Sequence, residues 1–65
     1  MLNNDLKAKR GERGWTQAEL AERVGVSRKT INTVENNVFI PSTILALRLA
    51  KALDAPVESL FWLDD

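Results

Sequence analysis

The sequence contains no cysteine, no histidine and no tyrosine. Lack of cysteine excludes disulfides, and lack of both cysteine and histidine removes the usual zinc ligands. The remaining groups able to act as nucleophile, acid or base are carboxylates, lysines and hydroxyls. Neither an enzyme nor a metal or cofactor site is expected, and no small-molecule ligand is suggested. No apolar run approaches the roughly 18 residues that mark a membrane-spanning helix. The opening Met1-Leu2-Asn3-Asn4-Asp5 lacks the basic-then-apolar order of a signal peptide, so a cytoplasmic protein is expected. Net basic charge is missing too, since nine bases meet nine acids.

The zero balance hides a gradient. Residues 1–53 hold all nine bases and five acids, a surplus of +4, whereas 54–65 hold Asp54, Glu58, Asp64 and Asp65 and no base. A positive end and a negative end are expected. The 65 residues suffice for one small domain over 1–65, and a domain this small buries only about 60% of its unfolded surface.

Helical periodicity runs through almost the whole chain, and the expected fold is all-α, a compact five-helix bundle. A first helix is expected over about Asn3–Arg13, stopped by Gly14 and weakened by Gly11, which costs about 1 kcal/mol relative to Ala. Thr16-Gln17-Ala18-Glu19 reads as a capping box, with Trp15 and Leu20 as its hydrophobic staple. Helix two then runs to Val24 and stops at Gly25. Ser27 caps helix three, with Val26 and Ile31 as the second staple, and the helix ends near Glu35-Asn36-Asn37, where Asn tolerates a left-handed conformation. Ser42 caps helix four (42–53), and Pro56 opens a short fifth helix within a C-terminal segment, 56–65.

The informative stretch is 17–36. Gly25-Val26-Ser27 is too short a connection for an antiparallel hairpin, so helix three must cross helix two steeply, as in a helix-turn-helix. Ala21 is small enough for close approach, Gly25 permits a positive φ, and Leu20, Val24, Val26, Ile31 and Val34 fall on the inward faces. With these residues in place, TQAELAERVGVSRKTINTVEN resembles the helix-turn-helix of the Cro and lambda-repressor family of transcriptional regulators, in its small single-domain form. Leu6 and Arg10, Pro41-Ser42, Ala46-Leu47, Leu49-Ala50-Lys51, Val57-Glu58 and Leu60-Phe61 extend the likeness. Asn37 stands where the family often has Gly, and Ile44 where it usually has a polar residue.

The outward face of helix three holds Arg28, Lys29, Asn32 and Thr33. Arg and Lys suit guanine edges and Asn suits adenine, so these four are the candidate base-reading residues; the alternative is an ordinary solvated helix face. Phosphate contacts are expected at helix N-termini. Gln17 resembles the family's phosphate-binding Gln, and Ser27, Asn36, Thr43 and the loop amides around Phe39 are further candidates, with local capping as the alternative. The resemblance also implies a structural ion pair between Arg10 and Glu35.

One such domain contacts only about four or five base pairs, and members of this motif dimerise on half-sites about 34 Å apart. Helix four carries more apolar residues than one core-facing stripe needs. Ile44, Phe61, Trp62 and Leu63 are therefore candidates for a homodimer interface, with Met1-Leu2 as a possible short strand against 61–63; the alternative is that Trp62 folds back over the core. The resemblance implies a sequence-specific regulator, a repressor on a palindromic operator of double-stranded DNA, nucleoid-associated through that binding. The competing reading is a protein-interaction module or antitoxin-like protein using the same fold.

Overall fold

The structure, a computed structural model, describes residues 1–64. The element order is β1 (Leu2–Asn4), α1 (Leu6–Glu12), α2 (Gln17–Val24), α3 (Arg28–Glu35), α4 (Thr43–Leu53), α5 (Val57–Leu60) and β2 (Phe61–Leu63). The described residues form five helices, as expected, but all-α is only approximate. The two short strands pair antiparallel, with Leu2 opposite Leu63, Asn3 opposite Trp62 and Asn4 opposite Phe61.

That sheet corrects the expected start of the first helix. Residues 3 and 4 are extended and the helix begins at Leu6. The Asp5 amide donates to the Leu60 carbonyl at 3.0 Å, and the Leu6 amide donates to Asn4 Oδ1 at 3.1 Å. Backbone pairing with the far end of the chain thus outweighs one more turn of helix. Beyond the strands the pairing continues: the Met1 amino group lies 3.1 Å from an Asp64 carboxylate oxygen.

The other helix boundaries are set locally. The Thr16 hydroxyl accepts from the Glu19 amide at 3.1 Å while Glu19 Oε1 accepts from the Thr16 amide at 2.9 Å, the reciprocal capping box. Gly25 ends α2 at φ +76°. Ser27 and Ser42 accept from the Thr30 and Leu45 amides at the starts of α3 and α4. Asn37 turns the chain after α3 at φ +60°, and Asp54 does the same after α4 at φ +50°.

Leu6, Leu20, Ile31, Val34, Leu49 and Leu60 are fully buried, one or two from each helix. Leu45, Leu49 and Leu53, spaced by four, form the buried stripe of α4, and Ile44 and Leu47 point away from it. Val26, Trp15 and Phe61 pack on the core from its margin. Trp15 is also flanked by cations, with the guanidinium of Arg23 4.1 Å and that of Arg13 5.8 Å from its ring centre. Among the described residues no helix is long and apolar enough to cross a membrane.

Candidate nucleic-acid interface

The surface in question is built where the start of α2 meets the exposed side of α3. Leu20, Ala21 and Val24 of α2 and Ile31 and Val34 of α3 are all buried. This packing leaves Arg28 and Lys29 exposed, with Thr30, Asn32 and Thr33 half-buried beside them.

Gln17, the first residue of α2, organises this surface. Its Nε2 donates to Glu35 Oε1 at 3.0 Å. Its Oε1 accepts from Arg28 Nη1 at 3.1 Å and, at a longer 3.4 Å, from Asn32 Nδ2. Both ends of one amide are therefore used, and of the two Nε2 protons one remains for an outside acceptor.

Behind Gln17 lies an ion pair that fixes α3 to α1. Arg10 Nε donates to Glu35 Oε2 at 2.7 Å and Arg10 Nη2 to Glu35 Oε1 at 3.2 Å, the side-by-side arrangement in which an Arg–carboxylate pair is strongest. Arg10 Nη1 is taken by the Trp15 carbonyl at 2.8 Å. The Glu35 side chain is only 3% exposed. Its hydrogen bond to Glu35 raises the Arg10 pKa above its ordinary value. The one acid of α3 is thus drawn inward and neutralised, and the outer face of that helix carries the charges of Arg28 and Lys29 unopposed.

The remaining candidates are placed less uniformly. Ser27 is committed to capping: its hydroxyl accepts from the Thr30 amide at 3.2 Å and lies 3.0 Å from the Thr30 hydroxyl. Thr33 turns its hydroxyl back to the Thr30 carbonyl at 2.9 Å. Asn36 folds its amide onto the Asn32 carbonyl at 2.8 Å. Phe39 needs correction as an amide donor, because its N–H is already given to the Thr33 carbonyl at 3.2 Å, as is that of Val38 at 2.9 Å. Both bonds go to one carbonyl, which the end of α3 would otherwise leave open. Thr43 is exposed at the first position of α4. At the starts of α2, α3 and α4 the backbone amides that capping leaves open are those of Gln17 and Ala18, Arg28 and Lys29, and Thr43 and Ile44.

Among the apolar candidates, Ile44, Trp62 and Leu63 are exposed, but Phe61 is half-buried against the core and belongs to the fold of the chain. Among the described residues no group of three acids, histidines or cysteines is placed to hold a metal ion. Sequence reasoning missed Asn4, whose side-chain amide reaches the end of α3. The signal available, a polar Asn-Asn-Asp run before Leu6, reads only as a helix start. It also missed Arg23, whose guanidinium lies over the ring of Trp15, a residue that precedes α2 and is brought to its side by the turn before the helix.

A sequence model of a helix-turn-helix family matches residues 6–60. A helix-turn-helix-type transcriptional regulator of Bacillus subtilis, itself uncharacterised, is 38% identical over 64 residues, spanning 98% of this chain and 97% of the relative. Another of the same description, from Methanothermobacter thermautotrophicus, is 49% identical over 61 residues, or 92% of this chain and 88% of its own. Among solved structures, the P22 c2 repressor in complex with a synthetic operator matches with a TM-score of 0.79 and 32% identity, over 82% of this chain and 80% of that one.

Proposed function

This chain belongs to the helix-turn-helix family, and we propose that it is a transcriptional regulator that reads double-stranded DNA by sequence, a repressor that holds a palindromic operator as a homodimer. The observation that carries the reading is the Gln17 amide, which joins the start of α2 to Arg28 and Asn32 on the exposed face of α3. Side chains held in fixed positions can discriminate between base edges, which mobile ones do poorly. Likeness to a repressor solved on its operator supports the same conclusion.

In this reading α3 enters the major groove. Arg28 and Lys29 contact guanine O6 and N7, Asn32 contacts adenine, and the Thr33 methyl meets a thymine methyl. Phosphates are taken by the free Nε2 proton of Gln17 and by the open amides at the starts of α2, α3 and α4, next to Gln17, Ser27 and Thr43. Asn36 lies at the rim. The bases all lie in residues 1–53 and the terminal acids in 54–65, a polarity that would turn the acidic end from the phosphates. Trp62, Leu63 and Ile44 form the two-fold contact between copies.

Selection from random duplex DNA at about 150 mM salt, where non-specific electrostatic binding is already weakened, tests this directly. The expected product is an inverted repeat with half-site centres about one helical turn apart. A motif without symmetry would remove the homodimer, and no enrichment would remove DNA reading altogether.

A further inference from the structure

We propose that Asn4 is a positioning residue for the reading helix: from β1 it closes the C-terminal end of α3 and makes the set of that helix depend on the two-stranded sheet. The inference rests on the DNA-reading role of α3 argued above and deepens it.

The geometry of this one side chain is the basis. Asn4 Nδ2 donates to the Val34 carbonyl at 3.1 Å and to Asn37 Oδ1 at 2.9 Å, across thirty and thirty-three residues of sequence. Its Oδ1 accepts from the Leu6 amide at 3.1 Å, starting α1. A single amide therefore caps the beginning of one helix and the end of another, and three of its hydrogen-bonding positions are filled.

At the end of α3 Asn4 adds a second donor to a carbonyl that the turn already reaches. A helix leaves its last carbonyls without internal donors, and here the Asn37 amide reaches Val34 at 3.2 Å while those of Val38 and Phe39 reach Thr33. These are local donors and move with the turn. Asn4 is the donor fixed from outside it. The turn itself is formed by Asn37 at φ +60°, a left-handed conformation uncommon for a residue with a side chain, and Asn4 holds the oxygen of that side chain.

Asn4 is in turn held by the sheet. It lies opposite Phe61, and the next amide, that of Asp5, donates to Leu60 at 3.0 Å. The register of β1 on β2 thus decides where the amide of Asn4 stands. α3 is anchored at its start by Ser27 and Gln17, and near its end by Arg10 on one side and Asn4 on another. A helix of eight residues is a rigid rod about 12 Å long, so a shift at Val34 is transmitted to Arg28 and Lys29. Tolerances for recognition are near 0.5 Å.

The test uses Asn4→Asp. The aspartate keeps an oxygen for the Leu6 amide but loses the donor, and sets a carboxylate against Val34 O and Asn37 Oδ1. Affinities are measured for the duplex recovered by selection and for a scrambled duplex of equal length, at a temperature where each protein is fully folded by circular dichroism. The ratio of the two should fall roughly three- to tenfold, and exchange of the Asn37 and Val38 amides should quicken while those of Leu20 and Leu49 stay slow. Lower thermal stability with an unchanged ratio would make Asn4 a merely stabilising residue, and unchanged exchange would show that it does not close the helix; either overturns the proposal.

If Asn4→Asp does not fold, Asn37→Gly carries the test, since it suits the positive φ and removes only one arm of the contact. A reduced ratio at retained stability supports the proposal, and an unchanged ratio overturns it. A wild-type protein that enriches no duplex would overturn the DNA reading and this inference with it. Amide exchange is independent of DNA and separates that failure from an error about Asn4.

Discussion

Gln17 and Glu35, eighteen residues apart in sequence, share a hydrogen bond of 3.0 Å. Through it the ion pair that fixes α3 is continuous with the side chains on its outer face. Arg10 holds Glu35, Glu35 holds the Gln17 amide, and that amide holds Arg28 and Asn32. A phosphate ligand alone would affect all sequences alike. In the proposed DNA-reading role Gln17 therefore combines two effects: contact with the DNA backbone, and restraint of Arg28 and Asn32.

Replacing Gln17 by Ala should accordingly weaken binding on every duplex and also flatten the preference at the bases read by Arg28 and Asn32. Arg28→Ala should act mainly on preference, with a loss of about 1–3 kcal/mol at its own base pair. Titration of both variants against single-base substitutions of the selected duplex distinguishes them. A Gln17→Ala profile parallel to the wild type at every position would reduce Gln17 to a phosphate contact.

Arg10→Met should unfold the protein before it alters recognition. It leaves an almost fully covered Glu35 carboxylate facing Gln17 alone, and loss of one partner of a buried pair costs about 3–5 kcal/mol. Urea titration should show the lower midpoint with an unchanged slope. Changing both partners to apolar residues should restore much of the loss, because no charge is then stranded.

The contrast between these residues and the strands explains what could be read from the sequence. Caps at Thr16, Ser27 and Ser42 and the turns at Gly25 and Asn37 are decided within four or five residues, so spacing reveals them. The buried faces of α2, α3 and α4 follow from helical periodicity for the same reason. The strand offered at Met1-Leu2 against 61–63 does form, but over Leu2–Asn4; Asn3 and Asn4 are extended because Trp62 and Phe61 lie beside them, and nothing local separates that from a helix start. Arg28 and Lys29 are legible as an exposed basic pair, but the Gln17 bridge exists only once two helices cross. Asp54 shows the limit from the other side: it takes the left-handed position after α4 that sequence rules assign to Gly or Asn.

The glycines offer a paired test of backbone and space. Gly11 lies inside α1, and a methyl group there would meet nothing within 4 Å; Gly11→Ala should stabilise the protein by about 0.5–1 kcal/mol. At Gly25 the same methyl would lie an ordinary 3.8 Å from Arg48 Nη1, but φ is +76°. The cost is therefore conformational, and Gly25→Ala should lose about 1–2 kcal/mol. Thermal melts of the two variants should shift in opposite directions.

The capping box predicts a pH dependence. Hydrogen bonds from the Thr16 backbone amide and then its side chain hold the Glu19 pKa below its usual 4.5. A carboxyl depressed in the folded state stabilises fully above its unfolded value and loses that contribution as pH falls through the folded one. The difference in melting temperature between wild type and Glu19→Ala should thus be constant near neutrality and narrow below about pH 4. A difference independent of pH across that range would mean that the carboxylate charge contributes nothing to the cap.

The apolar surface separates association from folding. Ile44, Trp62 and Leu63 are 65%, 44% and 63% exposed, whereas Phe61 packs on the core. If the first three meet a second copy, sedimentation should give twice the 7.3 kDa chain mass, and Trp62→Ser or Leu63→Glu should return it to the single chain without lowering helix content. Binding to the full inverted repeat should then fall roughly a hundredfold or more, since linked half-sites add that much to either alone, while binding to an isolated half-site should not change. Phe61→Ala should behave differently, losing stability in the separated chain as well. A wild-type protein that sediments as a monomer on and off DNA would remove the two-fold contact assigned to these side chains.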